Sequence, residues 1–328
     1  MHAGANLTSL IEHRCNMEPD SHLFSCLPGN KLNASLTPDS FVNAFNKQLS
    51  SNISRPSEAL AAVAQNYTIY IVSFEEILMH GASLSASRIG LCAPDITVHH
   101  TKFDAAERGC RAGFGLGHGI GNEECPGSGG AHGGRGGIGS ILSDKTQCNG
   151  QAPLPYFSTN AAKFEGSAGG KGTKAMGGSG GGLIWLTASQ TLILNNTELT
   201  VRGGDGFEPS EKGQLGSGGG AGGSIQIVTN NIVGNNTLLD LSGGHGSVGG
   251  GGGGSGGRFA NYFLSGYNQS HATQQSHGWN GTILLEGGKG GTLFAELARE
   301  NSTETEKTEG LLEQALIQSG GNGEDGTT

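Results

Sequence analysis

The sequence predicts an all-β protein, a parallel β-helix or β-solenoid with glycine-rich loops. Glycine supplies 62 of the 328 residues, and from Gly109 onward its clusters alternate with short apolar runs. Those runs have the length and the β-branched composition of strands. A block of strand, polar turn and GGxG motif also recurs after 40 residues, which indicates a repeat architecture.

The internal repeat is clearest where the segment 195–206 is aligned with the segment 235–246. Along its strands apolar and polar residues alternate, so that Ile225 and Ile227 are expected to point inward and Gln226 outward. A unit of two short strands cannot bury its own apolar side chains. We therefore expect neighbouring units to share one aliphatic core.

Glycine is expected at corners that need a positive φ or a close approach of two backbones. Runs such as 249–254 are predicted to be exposed loops, and packing as helices of the polyproline-II type is the alternative. The absence of a strict third-residue glycine period excludes collagen. A β-sandwich with disordered glycine-rich insertions, or a wholly disordered chain, stays open as an alternative to the solenoid.

The chain divides into three predicted parts. Residues 1–67 form a polar, Asn- and Ser-rich segment that is partly irregular, residues 68–295 form the solenoid, and residues 296–328 form an acidic connection with a partial C-terminal repeat. Ahead of the glycine-rich region, short strands are predicted at 69–72, 76–79, 83–85, 88–91 and 96–98.

Two features indicate the secretory route. The first is a set of nine N-x-[ST] sequons, which are candidate glycosylation sites: Asn6, Asn33, Asn52, Asn66, Asn195, Asn235, Asn268, Asn280 and Asn301. The second is an even number of cysteines without a C-x-x-C pair, which are disulfide candidates: Cys15, Cys26, Cys92, Cys110, Cys125 and Cys148. Fifteen pairings are possible, of which pairing in sequential order is our prediction, and six reduced thiols in a cytosolic protein are the alternative.

Charge and hydropathy exclude several partners. The formal net charge is −9 and the 19 Lys and Arg residues are scattered, which argues against nucleic acid or an anionic membrane surface. No apolar run is long enough to span a bilayer. The first residues lack the apolar core of a signal peptide, so we expect the chain to be part of a larger protein.

Catalytic chemistry has one candidate segment, Asp95–Asp104, in which alternation places His100, Lys102 and Asp104 on one side of a strand. We interpret it as a solvated strand face. The sequence predicts no catalytic, cofactor-binding or metal-binding residue, although the stretch 320–325 is similar to a single copy of the calcium-binding GGxGxD repeat.

Three segments, 131–137, 180–206 and 252–260, resemble glycine-rich β-helix-like segments of large, mostly uncharacterised eukaryotic extracellular and cell-surface proteins. The resemblance covers residues 75–295. It implies a cell-surface or matrix location and brings no catalytic residues with it.

We therefore expect a non-enzymatic structural or adhesive module of an extracellular or cell-surface glycoprotein, with flanking domains, matrix proteins or glycans as partners. One alternative is a β-helix polysaccharide lyase or hydrolase. Another is a carbohydrate- or protein-binding module, which would display exposed aromatic side chains from the few candidates Trp185, Tyr262, Tyr267 and Trp279.

Overall fold

The computed structural model describes residues 68–140, 152–156, 162–211, 213–263, 278–292 and 323–325. These residues form ten strands and no helix: β1 (Thr68–Val72), β2 (Glu76–His80), β3 (Ser83–Ser85), β4 (Arg88–His99), β5 (Lys102–Asp104), β6 (Leu183–Asn195), β7 (Thr197–Thr200), β8 (Ser224–Asp240), β9 (Arg258–Phe263) and β10 (Trp279–Leu284).

All ten strands belong to one parallel sheet. Seven of them follow a continuous path in the order β1-β4-β6-β8-β7-β5-β3, while β2 pairs with β4 and both β9 and β10 pair with β8. This path is nearly closed, as in a barrel. After each connection between described strands, the chain therefore forms another strand of the same sheet.

The aliphatic core lies on the concave side of the sheet, where residues in register stack on one another. Ile89 is aligned with Ile184 and Ile184 with Ile225, and all three are fully buried. The predicted alternation is confirmed, because Ile227 is buried while Gln226 between the two isoleucines is partly exposed. The second half of the repeat adds further buried side chains to the same cluster: Leu199, Val201, Leu239 and Leu241.

The prediction of a β-helix or β-solenoid with glycine-rich loops is wrong. The repeat predicted separate strands joined by a polar turn, but β8 continues through that turn for 17 residues. It pairs with β6 along its first part and with β7 along its last part, so it joins both into one barrel-like sheet. In the same way the strands predicted at 88–91 and 96–98 are one strand, β4.

The glycine-rich segments are not exposed loops but a buried layer, here called the glycine bundle (residues 109–139, 166–182, 203–206, 215–223, 243–257 and 287–291). Their backbone hydrogen bonds follow a period of three residues. The N–H groups of Gly216, Gly219 and Gly222 donate to the carbonyls of Gly249, Gly252 and Ser255, each over 2.9 Å. A three-residue period is that of a polyproline-II helix.

The residues between Gly216, Gly219 and Gly222 donate their backbone N–H groups to other segments of the glycine bundle. Within the central segment 215–223, Gly218 donates to the carbonyl of Gly170 and Gly220 donates to that of Gly204. A segment with three faces is thus hydrogen-bonded on each of them to a different neighbour. Buried backbone N–H and C=O groups need hydrogen-bond partners. In the glycine bundle these groups bond to neighbouring segments without forming strands.

Glycine serves here to let backbones approach one another. A Cβ on Gly219 would lie well inside 3.0 Å of the Gly244 carbonyl oxygen, and one on Gly254 would lie equally close to the Gly220 carbonyl oxygen. Neither residue has a positive φ. These close backbone contacts can therefore form only at positions without a side chain, which explains why glycine recurs at them.

Candidate functional site

Six side chains, four of them buried and two (Arg88 and Tyr156) partly buried, form a polar cluster where the sheet meets the glycine bundle. We call them the polar clamp: Arg88, His132, Tyr156, Glu165, Ser167 and Arg258. The first residue of β4 and the first residue of β9 supply the two arginines. They lie on one face of the sheet, in the column that runs from Arg88 through Leu183 and Ser224 to Arg258.

Arg258 lies at the centre of the polar clamp and is 2% exposed. Its guanidinium donates to the carbonyl of His132 over 3.0 Å and to that of Tyr156 over 2.6 Å. Burial lowers the pKa of Arg258, partly offset by the nearby Tyr156. The charged Arg258 guanidinium thus binds one backbone carbonyl in each of the two segments that contain His132 and Tyr156.

Tyr156 stacks on the His132 ring, with the two ring centroids 5.2 Å apart. Its hydroxyl donates to the carbonyl of Glu165 over 2.7 Å and accepts a hydrogen bond from Ser167 over 3.1 Å. Burial raises the pKa of Tyr156 well above its usual value, so the phenol stays neutral. Arg88 forms an ion pair with the buried Glu165 carboxylate.

His132 is the second neutral group of the polar clamp. Its Nδ1 lies 2.8 Å from the carbonyl oxygen of Gly222, which can only accept, so Nδ1 carries the proton. Burial, followed by the charge of Arg258, lowers the pKa of His132 from 6.5 to about 3. Each member of the polar clamp therefore bonds to backbone or to another member, an arrangement that holds the bundle against the sheet.

A second polar feature is the corner column, formed where the strands bend. It consists of three stacked triplets in register, His99-His100-Thr101, Asn195-Asn196-Thr197 and Asn235-Asn236-Thr237. The middle residues have φ values of 49° (His100), 49° (Asn196) and 53° (Asn236), a conformation that asparagine tolerates better than most residues.

The threonine of each Asn-Asn-Thr triplet hydrogen-bonds to a backbone carbonyl at the bend. The hydroxyl of Thr237 donates to the carbonyl of Leu194 over 3.0 Å, and that of Thr197 donates to the carbonyl of Asn195, the last residue of β6, over 3.1 Å. Both threonines are buried. The motif N-N-T therefore has a folding role in the described part of the chain, in addition to being a glycosylation signal.

Three predicted glycosylation sites lie in the described residues, and all three belong to neighbouring strands. Asn235 is aligned with Asn280, and the backbone N–H of Asn235 donates to the side chain of Asn195 over 3.0 Å. Asn235 and Asn280 are exposed, and Asn195 is partly buried. Glycosylation of these residues stays a prediction. The other sites lie outside the described residues: Asn6, Asn33, Asn52, Asn66, Asn268 and Asn301.

The variable residue of GGxG forms a third feature, a ladder on the rim of the glycine bundle. The carboxylate of Asp205 accepts from the backbone N–H of His245 over 2.8 Å, and the imidazole of His245 accepts from the backbone N–H of Lys289 over 2.9 Å. Lysine has no acceptor, so it cannot extend this pattern. The x residues thus connect successive GGxG copies.

The strand considered for catalysis is bonded to its neighbours. Lys102 donates to Glu198 over 2.7 Å, which raises the pKa of Lys102, and Asp104 lies 3.7 Å from the Arg108 guanidinium. His100 lies at the corner, beside His80. The three side chains thus contact different partners: Glu198, Arg108 and His80.

Among the described residues, no group of three or more His, Cys, Asp or Glu side chains could hold a metal ion. Of the aromatic candidates for a binding surface, Trp185 is buried, Tyr262 is 38% exposed, Trp279 is partly buried, and Tyr267 lies outside the described residues. The part of the chain that the structure describes holds no helix suited to crossing a membrane.

Cys92, Cys110 and Cys125 are disulfide-bonded, and no cysteine in the described ranges is free. Cys15, Cys26 and Cys148 lie outside those ranges.

Sequence reasoning missed the polar clamp. Its members are 77 residues apart in the Arg88–Glu165 pair and 126 residues apart in the Arg258–His132 pair, so no local spacing relates them. The available signal was an arginine at the end of a glycine run and a glutamate at the start of another. Either charge would be unexpected in a buried layer unless it were paired.

Comparison with known proteins adds no relative. The sequence matches no protein-family model, and neither a curated protein nor a solved structure is significantly similar to it.

Proposed function

We propose that this chain is a non-enzymatic structural or adhesive module of an extracellular or cell-surface glycoprotein. The observation that supports the proposal most is the polar clamp, in which the buried ionisable side chains bond to backbone and to one another. Catalytic acids and bases must instead reach a substrate. His132 and Tyr156 are also held neutral by burial, far from the pKa values that general acid–base catalysis needs.

The glycine bundle supports a mechanical role. Each segment is bonded by backbone hydrogen bonds to several neighbours, and a side chain added at most of its glycines would collide with a backbone carbonyl. Such a layer resists deformation because many short bonds must break together. A spacer or scaffold at a surface needs this property.

Location at the cell surface is supported by the disulfide bonds of three cysteines and by the exposed sequons Asn235 and Asn280. Disulfides persist in oxidising compartments. A glycan at Asn235, in the corner column, or at the neighbouring Asn280 would extend into solvent.

The test is to express the protein with an epitope tag in its native cells and to stain them with and without permeabilisation. We expect staining of intact cells, a mass decrease after glycosidase treatment and no alkylation of cysteine before reduction. An intracellular, unglycosylated protein with reduced thiols would refute the proposal. Beads coated with the purified chain then separate the two roles, because an adhesive module retains cells or matrix and a spacer does not.

A further inference from the structure

We infer that copies of this chain associate end to end, with the sheet edge that contains β9 and β10 in one copy paired to the edge that contains β1 and β3 in the next. The partner at each edge is thus a second copy of the same chain. The inference rests on the proposed structural role for its purpose, since a spacer gains length when copies join in a line.

The sheet ends in two edges within the part of the chain that the structure describes. At the first edge, β1 pairs with β4, β2 pairs with β4 and β3 pairs with β5, and no described strand lies on their other side. At the last edge, β9 and β10 each pair with β8 alone among the described strands. Every one of these pairings is parallel, so a second copy can continue the sheet without reversing the strand direction.

The aliphatic core is incompletely covered at both edges. Ile89 and Phe103, on inner strands, are 0% exposed, whereas their neighbours in register on the first edge, Ile69 and Leu84, are only partly buried. All partly buried apolar side chains that pack against the core lie on edge strands or directly after one: Ile69, Ile71, Met79, Leu84, Phe259, Trp279, Ile283 and Leu285. Each edge therefore offers apolar surface that a partner would remove from water.

The two edges are complementary because they end the same columns of inward side chains. One column consists of Ile69, Ile89, Ile184, Ile225 and Phe259. A second consists of Leu84, Phe103, Leu199, Leu239 and Ile283. A copy placed on the last edge in the same register sets its Ile69 on Phe259 and its Leu84 on Ile283, so both columns continue with apolar contacts.

The edge strands lack the residues that usually prevent edges from pairing, which are charged side chains, above all lysine, and proline. Strands β1, β3 and β10 contain neither. The charge on β9 is Arg258, which is buried in the polar clamp, and the acidic residue on β2 is Glu76. Pairing β9 and β10 with β1 and β3 therefore brings no like charges together.

Strand β9 also leaves a buried acceptor without a donor. Asn261 is aligned with the buried Ile227 of β8, and no hydrogen-bond donor among the described residues reaches its buried Oδ1. Buried polar atoms nearly always have a partner. A strand laid along β9 brings its backbone N–H groups to this edge, so a second copy supplies donors there.

Such an interface is heterologous, because two different edges meet, and it forms an open line of copies where the rotation between them does not close a ring. Each inward column has five members, one on each successive strand. Neighbouring strands lie about 4.8 Å apart, so each copy lengthens the line by roughly 24 Å.

The experiment is sedimentation velocity of the purified full chain over a range of concentrations, with electron microscopy of the concentrated sample. We expect the mean sedimentation coefficient to rise steadily with concentration, and unbranched filaments with an axial repeat of roughly 24 Å. A monomer at concentrations up to about 1 mM, as expected where another part of the same chain covers the edges, would overturn the inference. Association that stops at a dimer would overturn it as well.

A pair of double variants tests which edges meet. The exposed residues Ser83 of β3 and Thr282 of β10 lie at opposite ends of one outward column, so they are neighbours only across the junction between two copies. Ser83→Glu with Thr282→Glu places like charges there, and we expect it to associate about 3- to 30-fold more weakly at low salt than Ser83→Glu with Thr282→Lys. Equal association of the two double variants would overturn the inference.

Gln190→Glu, at an exposed position of the inner strand β6, is the control and should associate as the wild type does. Thermal melts at low concentration show whether each variant is folded. A monomeric result would leave the proposed surface location intact, because staining of intact cells and glycosidase sensitivity do not depend on association. Filaments of a chain that stays inside the cell would refute the proposed location alone.

Discussion

Two adjacent glycines of the bundle make a matched test of why glycine is needed there. Gly203 and Gly204 are both buried and neither has a positive φ. A Cβ on Gly203 would lie well inside 3.0 Å of the Gly220 carbonyl oxygen, which belongs to a hydrogen-bonded neighbour. A Cβ on Gly204 would lie 3.2 Å from the exposed side chain of Glu107, which can move, and 3.3 Å from the backbone nitrogen of Ser179, which would have to shift only slightly.

Gly203→Ala must therefore displace a segment by nearly 1 Å. Overpacking of this kind costs about 1–3 kcal/mol, and loss of one or two buried backbone hydrogen bonds adds about 1–3 kcal/mol. The lower entropy of the unfolded alanine chain returns about 0.4–1 kcal/mol. We expect a net loss of about 1–6 kcal/mol for Gly203→Ala, while Gly204→Ala should lose less, staying within about 1 kcal/mol of the wild type.

The assay is urea unfolding, followed by the fluorescence of the buried Trp185. Equal stability of the two variants would refute the argument that backbone contact, and not glycine flexibility, explains the composition of the bundle.

Three further predictions concern the polar side chains. The folded-state pKa of His132 is lowered to about 3, so as the pH falls the unfolded chain binds a proton before the folded chain does. The free energy of unfolding should therefore decline below about pH 6.5, by at most about 1.4 kcal/mol per pH unit. His132→Asn should reduce this pH dependence in thermal melts at several pH values. Arg258→Met should cost about 3–5 kcal/mol because two buried carbonyls lose their donor, whereas Arg202→Met at the surface should cost less than about 1 kcal/mol in the same urea titration. Thr237→Val and Asn235→Gln should both remove any glycan at this sequon, as mass spectrometry would detect, but only the first should lower stability, by about 1 kcal/mol; equal stabilities would contradict the folding role of the threonine.

Much of the sheet could be predicted from the sequence because strand residues leave a period of two. The alternation of Ile225, Gln226 and Ile227 matches the buried and exposed positions of β8. Strands β1, β2 and β3 also lie where the apolar runs placed them. The continuity of β8 could not be predicted, because its Asn-Asn bend reads locally as a turn that separates two strands.

The glycine bundle left no comparable pattern. Its hydrogen bonds have a period of three, but glycine and a few small residues fill most of its central segments 215–223 and 243–257, so few side chains mark which of the three faces a residue occupies. The sequence therefore predicts exposed loops, the common context of glycine, and leaves packing as polyproline-II helices as the alternative. The polar clamp was missed for a different reason, since Arg258 contacts Tyr156 across 102 residues of sequence and no local spacing relates them.

Hydrogen exchange of the backbone amides tests most directly whether the glycine-rich segments form the interior of this protein. Peptides that cover residues 216–223 and 251–257 are expected to be protected as strongly as those of β6 and β8. Exchange of the glycine amides within seconds, with protection confined to the strands, would contradict the account.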